Sequence, residues 1–447
     1  MKRMRMVKRQ GIGWAAIVAA AVFTAAPAGA RAQDVAFETV VAGLRSPDAT
    51  ARVSSLVMLR QAGYLDAVPA IAPVLADPDP TVQGAAVETV LALHTVDVTY
   101  TMDVCRDIVR QKGATLPLCA FVQGAGATIA NPVPAEVFRG LLAALGSPSP
   151  AVRFDAAYAI GVLGRGAILR GQLPDAPRVF DALVGILRES NPLMKEAATN
   201  ALGRLLGAVL VRGGTDTNLA SIRVEAGDLV VGGLNEPDQQ LRLSSMSALA
   251  DMRYDRAVQS LTDLFNYYKK GPEAMAAFDA VAKIGHPGSI PVLLAQLASS
   301  DAQVRRMAVE GIGRAGDATA MSQMRLKAEP DQSAYVGHAL AFARARNADY
   351  SEMGKLVGGF KYSALATPTF NYLVELGPAV AAELGTFSTN GDPKIRAGVA
   401  EVLGIVGDQT SLGLLDVLLR DRNKAVAEAA ARSQARLVPR PGAAARR

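Results

Sequence analysis

The chain is short of the residue types that most catalytic and metal centres use. Its 447 residues include two cysteines, three histidines and one tryptophan, and aromatics make up only 5%. Two cysteines exclude a small disulfide-dense scaffold. The histidines are His94, His286 and His338; none is followed by Glu and none lies three to five residues from another, so helical metal motifs are missing. His94 and His286 fall at expected helix ends, where capping or solvation is the expected role. The run "GSPSPAV" at 146–152 reads as a turn and a helix cap rather than a nucleophile elbow. The glycine-rich runs "GAGA" at 124–127 and "RGGTDTN" at 212–218 match neither a phosphate loop nor a dinucleotide fingerprint, and read as loops. The expectation is a chain with no catalytic residue, cofactor or metal of its own. Charged residues at 20% against 50% hydrophobic exclude a mainly disordered chain.

The formal charge of +6 has to be located before it is interpreted. Residues 1–9 carry Lys2, Arg3, Arg5, Lys8 and Arg9 with no acid. An apolar run, 11–26, follows, and then Ala30-Arg31-Ala32 ahead of Gln33. This is the three-part pattern of a secretory signal peptide. The run falls short of the roughly 20 residues that span a hydrocarbon core. Residues 1–32 are therefore expected to be cut off after Ala32, which makes the protein periplasmic or secreted, with no stable membrane insertion once the signal is gone. Retention of the signal as an anchor is the other reading. No Arg-Arg pair and no nearby Cys suggest twin-arginine export or a lipoprotein. At the other end Arg432, Arg436, Arg440, Arg446 and Arg447 occur without an acid, and 438–447 reads as a basic tail. Between these ends, residues 33–431 hold 36 basic and 41 acidic side chains. Bulk basicity thus gives no support for a nucleic-acid or membrane-surface partner.

What the chain does have is an internal repeat. Seven segments align on an apolar residue that opens a helix: Ala51, Val82, Val152, Met194, Leu241, Val304 and Ile395. Three residues earlier stand Asp48, Asp79, Ser149, Asn191, Asp238, Asp301 and Asp392, all residue types whose side-chain oxygen can accept from a first-turn N–H. Pro80, Pro150, Pro192 and Pro393 follow four of them, where a missing N–H costs nothing. Small or apolar residues then recur four, seven, eight and eleven positions after the anchor, for example Ala156, Ala159, Ile160 and Leu163. That is one buried stripe of a 3.6-residue helix. Stops such as Gly63, Gly316 and Gly407 follow, and a shorter apolar helix leads to the next cap.

The anchors are spaced at roughly multiples of 30 to 32 residues once excursions near 94–140 and 207–228 are allowed. The weaker copies 261–285, 321–346, 353–377 and 414–437 fill the gaps, giving about eleven helical pairs over 33–437. Such a pair cannot bury its face alone, so the expected fold is all-α: a single right-handed α-solenoid of stacked pairs, monomeric, with the second helices lining its concave face.

The stretches "LADPDPTVQGAAVETVLAL", "LGSPSPAVRFDAAYAIGVLG" and "LASSDAQVRRMAVEGIGRAGD" resemble HEAT repeats, in particular the short bacterial PBS-lyase HEAT-like kind. The resemblance covers most of 37–437. It implies an interaction scaffold that binds a partner protein along a concave face. Members with added chemistry resemble bilin lyases or deoxyhypusine hydroxylases, which makes a HEAT-like enzyme of lyase or oxidoreductase type the alternative; the diiron His-Glu pairs of the second group are absent. Polyanion binding through the arginines is a further alternative.

A basic residue follows most anchors: Arg52, Arg153, Lys195, Arg242, Arg305 and Arg396, with Gln83 the exception. Read functionally, such a ladder would grip an acidic partner. Read structurally, each cation pairs with an acid of the adjoining repeat, and the resemblance points the same way because HEAT arrays carry an Asp/Arg ladder in their framework. Cys105 and Cys119 sit in the first excursion. An oxidising compartment favours their pairing, and closing so short a loop would contribute roughly 3 kcal/mol. Two buried thiols is the competing reading. Both excursions are candidates for partner contact or for tolerated loop growth.

Overall fold

The computed structural model describes residues 31–95, 133–169, 173–211 and 217–437. The signal segment up to residue 30, both cysteines and the tail at 438–447 lie outside them. Among the described residues the chain is helical and forms no strand.

Eleven helices stack side by side as one layer: α2 (Ala49–Ala62), α4 (Pro80–His94), α6 (Pro150–Leu169), α8 (Pro192–Val211), α10 (Gln239–Asp251), α12 (Pro272–Ile284), α14 (Ala302–Ala315), α16 (Ala334–Arg346), α18 (Ser363–Leu376), α20 (Pro393–Val406) and α22 (Lys424–Leu437). A second layer holds the helices that precede each of them: α1 (Arg31–Gly43), α3 (Val68–Ile71), α5 (Ala135–Leu145), α7 (Ala176–Leu187), α9 (Thr217–Gly232), α11 (Val258–Tyr268), α13 (Ile290–Gln296), α15 (Ala318–Ala328), α17 (Met353–Gly358), α19 (Ala381–Gly385) and α21 (Leu412–Leu419). The described chain is a helical-repeat solenoid of eleven pairs.

Local chemistry starts the even-numbered helices. Asp48 accepts from Thr50 N at 3.0 Å, Asp79 from Thr81 N at 2.8 Å, Ser149 from Val152 N at 3.5 Å and Asn191 from Leu193 N at 3.0 Å. Asp238 accepts from Leu241 N at 2.9 Å, Asp301 from Gln303 N at 2.8 Å and Asp392 from Lys394 N at 2.9 Å. An eighth cap, Asn423, opens α22 by accepting from Ala425 N at 3.0 Å. Each answers a backbone donor that the helix leaves unpaired. Two of the glycine stops differ in kind. Gly316 turns left-handed at φ 69°, whereas Gly407 has φ −73° and is needed for space, since a Cβ there would lie 2.3 Å from Leu403 O.

Packing follows from small residues on the stripe. A Cβ on Gly161 would sit 2.8 Å from Ala201 Cα, on Gly203 2.8 Å from Ala248 Cα, on Gly313 2.7 Å from Ala343 Cα and on Gly404 2.7 Å from Ser433 Cα. Each glycine stands twelve residues after its cap and meets a residue ten after the next cap, so the repeat sets the contact. These contacts bring consecutive even helices almost backbone to backbone. In a curved two-layer stack the layer with the shorter spacing is the inner one. The even helices, which open at the anchors, therefore line the concave side, which corrects the expectation that the shorter helices following them would. The large exposed apolar side chains Tyr267 and Leu326, 78% and 79% accessible, lie singly on the odd, outer helices α11 and α15.

The excursion expected at 207–228 is corrected too. α8 keeps its stripe through Ala208 and Val209, and α9 buries Ala226 and Val230 as an ordinary second-layer helix. The 94–140 excursion is narrower than read: α4 runs to His94, and α5 from Ala135 buries Val137, Phe138 and Leu141.

The core has two parts that meet at α16. Val336, Ala339, Leu340 and Ala343 close a cluster that begins at Leu44; Ala341, Phe342 and Ala345 open another that ends at Ala430. Beyond α16 the stacking changes. α18 carries Pro368 within it, where the missing N–H and the ring disturb the helical ladder. It stays packed on α16, where Tyr372 stacks on Phe342 and Thr369 bonds His338, while its C-terminal end reaches the ends of earlier helices, so that Gly377 lies against Val211 O and Glu375 reaches Arg253. The end of α18 thus joins the C-terminal stack to the ends of α8, α10 and α14.

Candidate functional site

Two polar systems run along the solenoid. The first is a ladder at the turns between repeats. Arg52 makes a bidentate pair with Asp77 at 2.8 and 2.9 Å and donates to Ser46 O at 2.8 Å. Arg305 does the same with Asp331 and Ser299 O, and Arg396 with Asp421 and Asn390 O. Arg153 pairs with Glu189 and donates to Leu145 O; Lys195 pairs with Glu236 at 3.0 Å. Arg242 meets Glu273 at 3.2 Å. At the exceptional position Gln83 donates to Leu75 O at 2.9 Å. Asp77, Glu189, Glu236, Asp331 and Asp421 each stand two residues before the cap of the next even helix. Asp77, Asp331 and Asp421 also accept from the backbone N–H of that cap residue. These acids were not singled out in the sequence, although an acid–X–cap spacing marks them. Every ladder cation is paired with an acid of the framework, although Arg242 keeps its buried Nε without a hydrogen bond.

The second system lies on the inner face and was not foreseen. It begins where the guanidinium of Arg204 stacks over the Tyr158 ring, 5.4 Å from its centre. Arg165 on α6 lies near Arg204 and Asp251 and forms no ion pair or hydrogen bond among the described residues. Burial depresses its affinity for a proton, an effect that Asp251 only partly offsets. Asp251 also faces Lys283, which pairs with Asp279 at 2.9 Å. Burial opposes ionisation of Asp279, but Lys283, Arg306 and Arg314 outweigh it and hold the carboxyl below its ordinary range. Protein surrounds Lys283 and Asp279 densely, yet their side chains keep 39% and 31% accessibility, as expected of groups lining a concavity.

At the deep end the row becomes the seam between the two stacks. Glu310, 2% exposed, pairs with Arg306 and Arg314 and accepts from the Tyr372 hydroxyl of α18. Glu375, also of α18, takes a bidentate pair from Arg314 at 2.8 and 2.9 Å and a second from Arg253 at 2.6 Å. Arg314 in turn lies over the Phe342 ring. Burial, then Glu310, pushes the Tyr372 hydroxyl well above its ordinary range, so it remains a donor. Burial opposes ionisation of Glu375, but Arg314, Arg253 and Arg346 keep it charged.

Two buried titratable groups sit apart from this row. His338 shares a 2.9 Å hydrogen bond with Thr369, and burial with nearby Lys355 takes its pKa down to about 4, so it is neutral. Glu196 is held by Ser244, and burial together with Asp238 raises its pKa to about 7. His286 Nδ1 accepts from Gly288 N at 3.0 Å, a local cap; His94 is buried at the end of α4. Among the described residues no group of three or more His, Cys, Asp or Glu is arranged to hold a metal ion, and no helix is long and apolar enough to cross a membrane.

No family model matches the chain, and no curated protein matches it. Solved structures do. An engineered protein aligns over 90% of this chain and 98% of its own, at 18% identity and a TM-score of 0.32. Importin beta, crystallised in an ammonium sulfate condition, aligns over 89% of this chain at 15% identity and a TM-score of 0.35. The chain spans about half the length of that importin beta chain. Scores this low carry no argument about function.

Proposed function

We propose that the protein is an exported scaffold of HEAT-like repeats, of the PBS-lyase type, which binds a partner protein along its concave face. The observation that supports this most is the charged row on the inner helices. The ladder cations at the turns are consumed by the framework, while Arg165 and Arg204 present charge toward the concavity without a carboxylate pair of their own. Charge whose burial is only partly offset, by Asp251 for Arg165 and by the Tyr158 ring for Arg204, is better accounted for by an external contact than by folding alone. Export rests on residues 1–32 acting as a signal cut after Ala32, and mass determination of the native N-terminus tests it: Gln33 is the expected first residue, and an intact Met1 would mean an anchored protein. The binding face is tested by crosslinking capture from native envelopes. Substitutions on the inner helices, such as Arg204→Glu, are expected to remove captured partners, and Tyr267→Ala and Leu326→Ala on the outer helices to leave them. The opposite pattern would place the binding face on the convex side.

A further inference from the structure

We infer that the inner face between α6 and α12 binds an acidic peptide segment, with Arg165 and Arg204 receiving its carboxylates. This rests on the scaffold reading and names the chemistry of its partner. The first support is the charge inventory of the row. Arg165, Arg204, Arg253, Lys283, Arg306, Arg314 and Arg346 face Asp155, Asp251, Asp279, Glu310 and Glu375, so cations outnumber carboxylates in a site that protein encloses densely. The surplus is not spread evenly. At the α14 end, Arg306 and Arg314 share Glu310, and Arg314 and Arg253 share Glu375. At the α6–α8 end, Arg165 has no ion pair or hydrogen bond among the described residues, and Arg204 has a ring beneath it and no carboxylate.

The second support is that the chain supplies its own example of the ligand. Glu375 arrives from another stack, 122 residues beyond Arg253, and its carboxylate is clamped between arginines of two different repeats. A carboxylate brought in from outside the stack is thus what this face already accommodates at one end. At the other end two planar, multidentate donors, Arg165 and Arg204, also lie near each other, with no carboxylate paired between them.

Extent and polarity decide between ligand classes. Neighbouring packed helices lie about 9 Å apart, so the distance from α6 to α12 is about 27 Å. That is the reach of roughly eight residues of extended peptide and too long for a small anion. Asp251 and Asp279 interrupt the cations, which opposes a uniformly charged phosphodiester strand but suits a peptide whose acidic side chains alternate with neutral ones.

The test uses the full chain and a fluorescein-labelled peptide of about ten residues alternating Glu and Ser, measured by anisotropy at several salt concentrations. Controls are the Gln–Ser counterpart and a single-stranded oligonucleotide of similar length. The expected result is salt-sensitive binding of the Glu–Ser peptide, at least tenfold weaker in Arg165→Gln/Arg204→Gln and weaker still for the Gln–Ser peptide. Arg165→Gln alone leaves no group unpaired, so its unfolding midpoint should match the wild type and a lower affinity cannot be attributed to misfolding. Equal peptide binding by wild type and double variant, no peptide binding, or tighter binding of the oligonucleotide would each overturn the inference. The scaffold reading fails separately: it is the inference alone that falls if envelope partners are captured equally by wild type and double variant, and both fall if inner-face substitutions anywhere from α2 to α16 leave capture unchanged.

Discussion

The N-terminal stack and the seam at α18 hold helices together by opposite means. From α6 to α10 and from α12 to α16 the even helices meet through glycine and alanine at backbone distance, with the ladder pairs at the turns. At the seam, Tyr372 and Glu375 meet Glu310, Arg314 and Arg253 through charged hydrogen bonds in a nearly dry interface. The first kind of contact is non-directional and repeats with the sequence. The second is specific, since a buried ion network fails when one member is lost but tolerates joint replacement by apolar groups. The difference teaches where each part of the molecule is vulnerable. Volume should break the stack, and charge should break the seam.

The largest effect is expected at the seam. Glu310→Ala leaves Arg306, Arg314 and the Tyr372 hydroxyl without their shared acceptor, and should cost about 3–5 kcal/mol in chemical denaturation. Adding Arg306→Met, Arg314→Met, Tyr372→Phe and Glu375→Gln to it should recover most of that loss. If the combined variant is no better, the network is not the reason.

A pH effect of similar size separates the two buried titratable groups. Between its ordinary 4.5 and about 7, Glu196 is ionised in the unfolded chain and protonated in the folded one. Stability therefore falls as pH rises through that window, and the cost of about 3 kcal/mol stays in full above it. Glu196→Gln should raise the midpoint at pH 8 and change it little at pH 4.5. His338 acts in the other direction. Its pKa falls from 6.5 to about 4, so the unfolded chain binds a proton that the folded one refuses, and stability is lost as pH drops through that window. Stability differences from the wild type, measured by thermal scans of Glu196→Gln and His338→Gln against pH, should show slopes of opposite sign; matching slopes would reject one of the two environments.

In the stack, Gly203→Val places a branched side chain where even a Cβ would lie 2.8 Å from Ala248 Cα, and should cost about 1–3 kcal/mol. The smallest effect is a cap. Asp301→Ala should lower stability by about 1 kcal/mol through the lost bond to Gln303 N, and an unchanged midpoint would contradict the helix register.

The stack was legible in sequence because its rules are local. Caps lie three residues before an anchor, and the stripes Ala86–Thr89–Val90–Leu93, Ala198–Ala201–Leu202–Leu205 and Val399–Val402–Leu403–Val406 are all buried. The seam was not legible. Arg253, Glu310 and Glu375 are remote in sequence, and nothing near Glu375 except Pro368 signals that the end of α18 reaches earlier helices. The inner row was missed for a related reason. Arg165, Arg204 and Lys283 sit late in their helices, past the positions used to align the repeats, and only the curvature brings them to one face. The excursion assigned to 207–228 failed because "RGGTDTN" interrupts the template, although the apolar stripe of α8 runs up to it and α9 starts within it.

The seam places the end of α18 against the ends of α10 and α14. In a Cys105→Ser/Cys119→Ser background, Arg253→Cys with Glu375→Cys places two thiols at positions now joined by a 2.6 Å ion pair. Treatment of the monomer with a short bis-maleimide, followed by peptide mass mapping, is expected to give an intramolecular link between residues 253 and 375 in high yield. Singly labelled thiols with no such link, in a variant that keeps its helical content, would mean an open solenoid and would contradict the account.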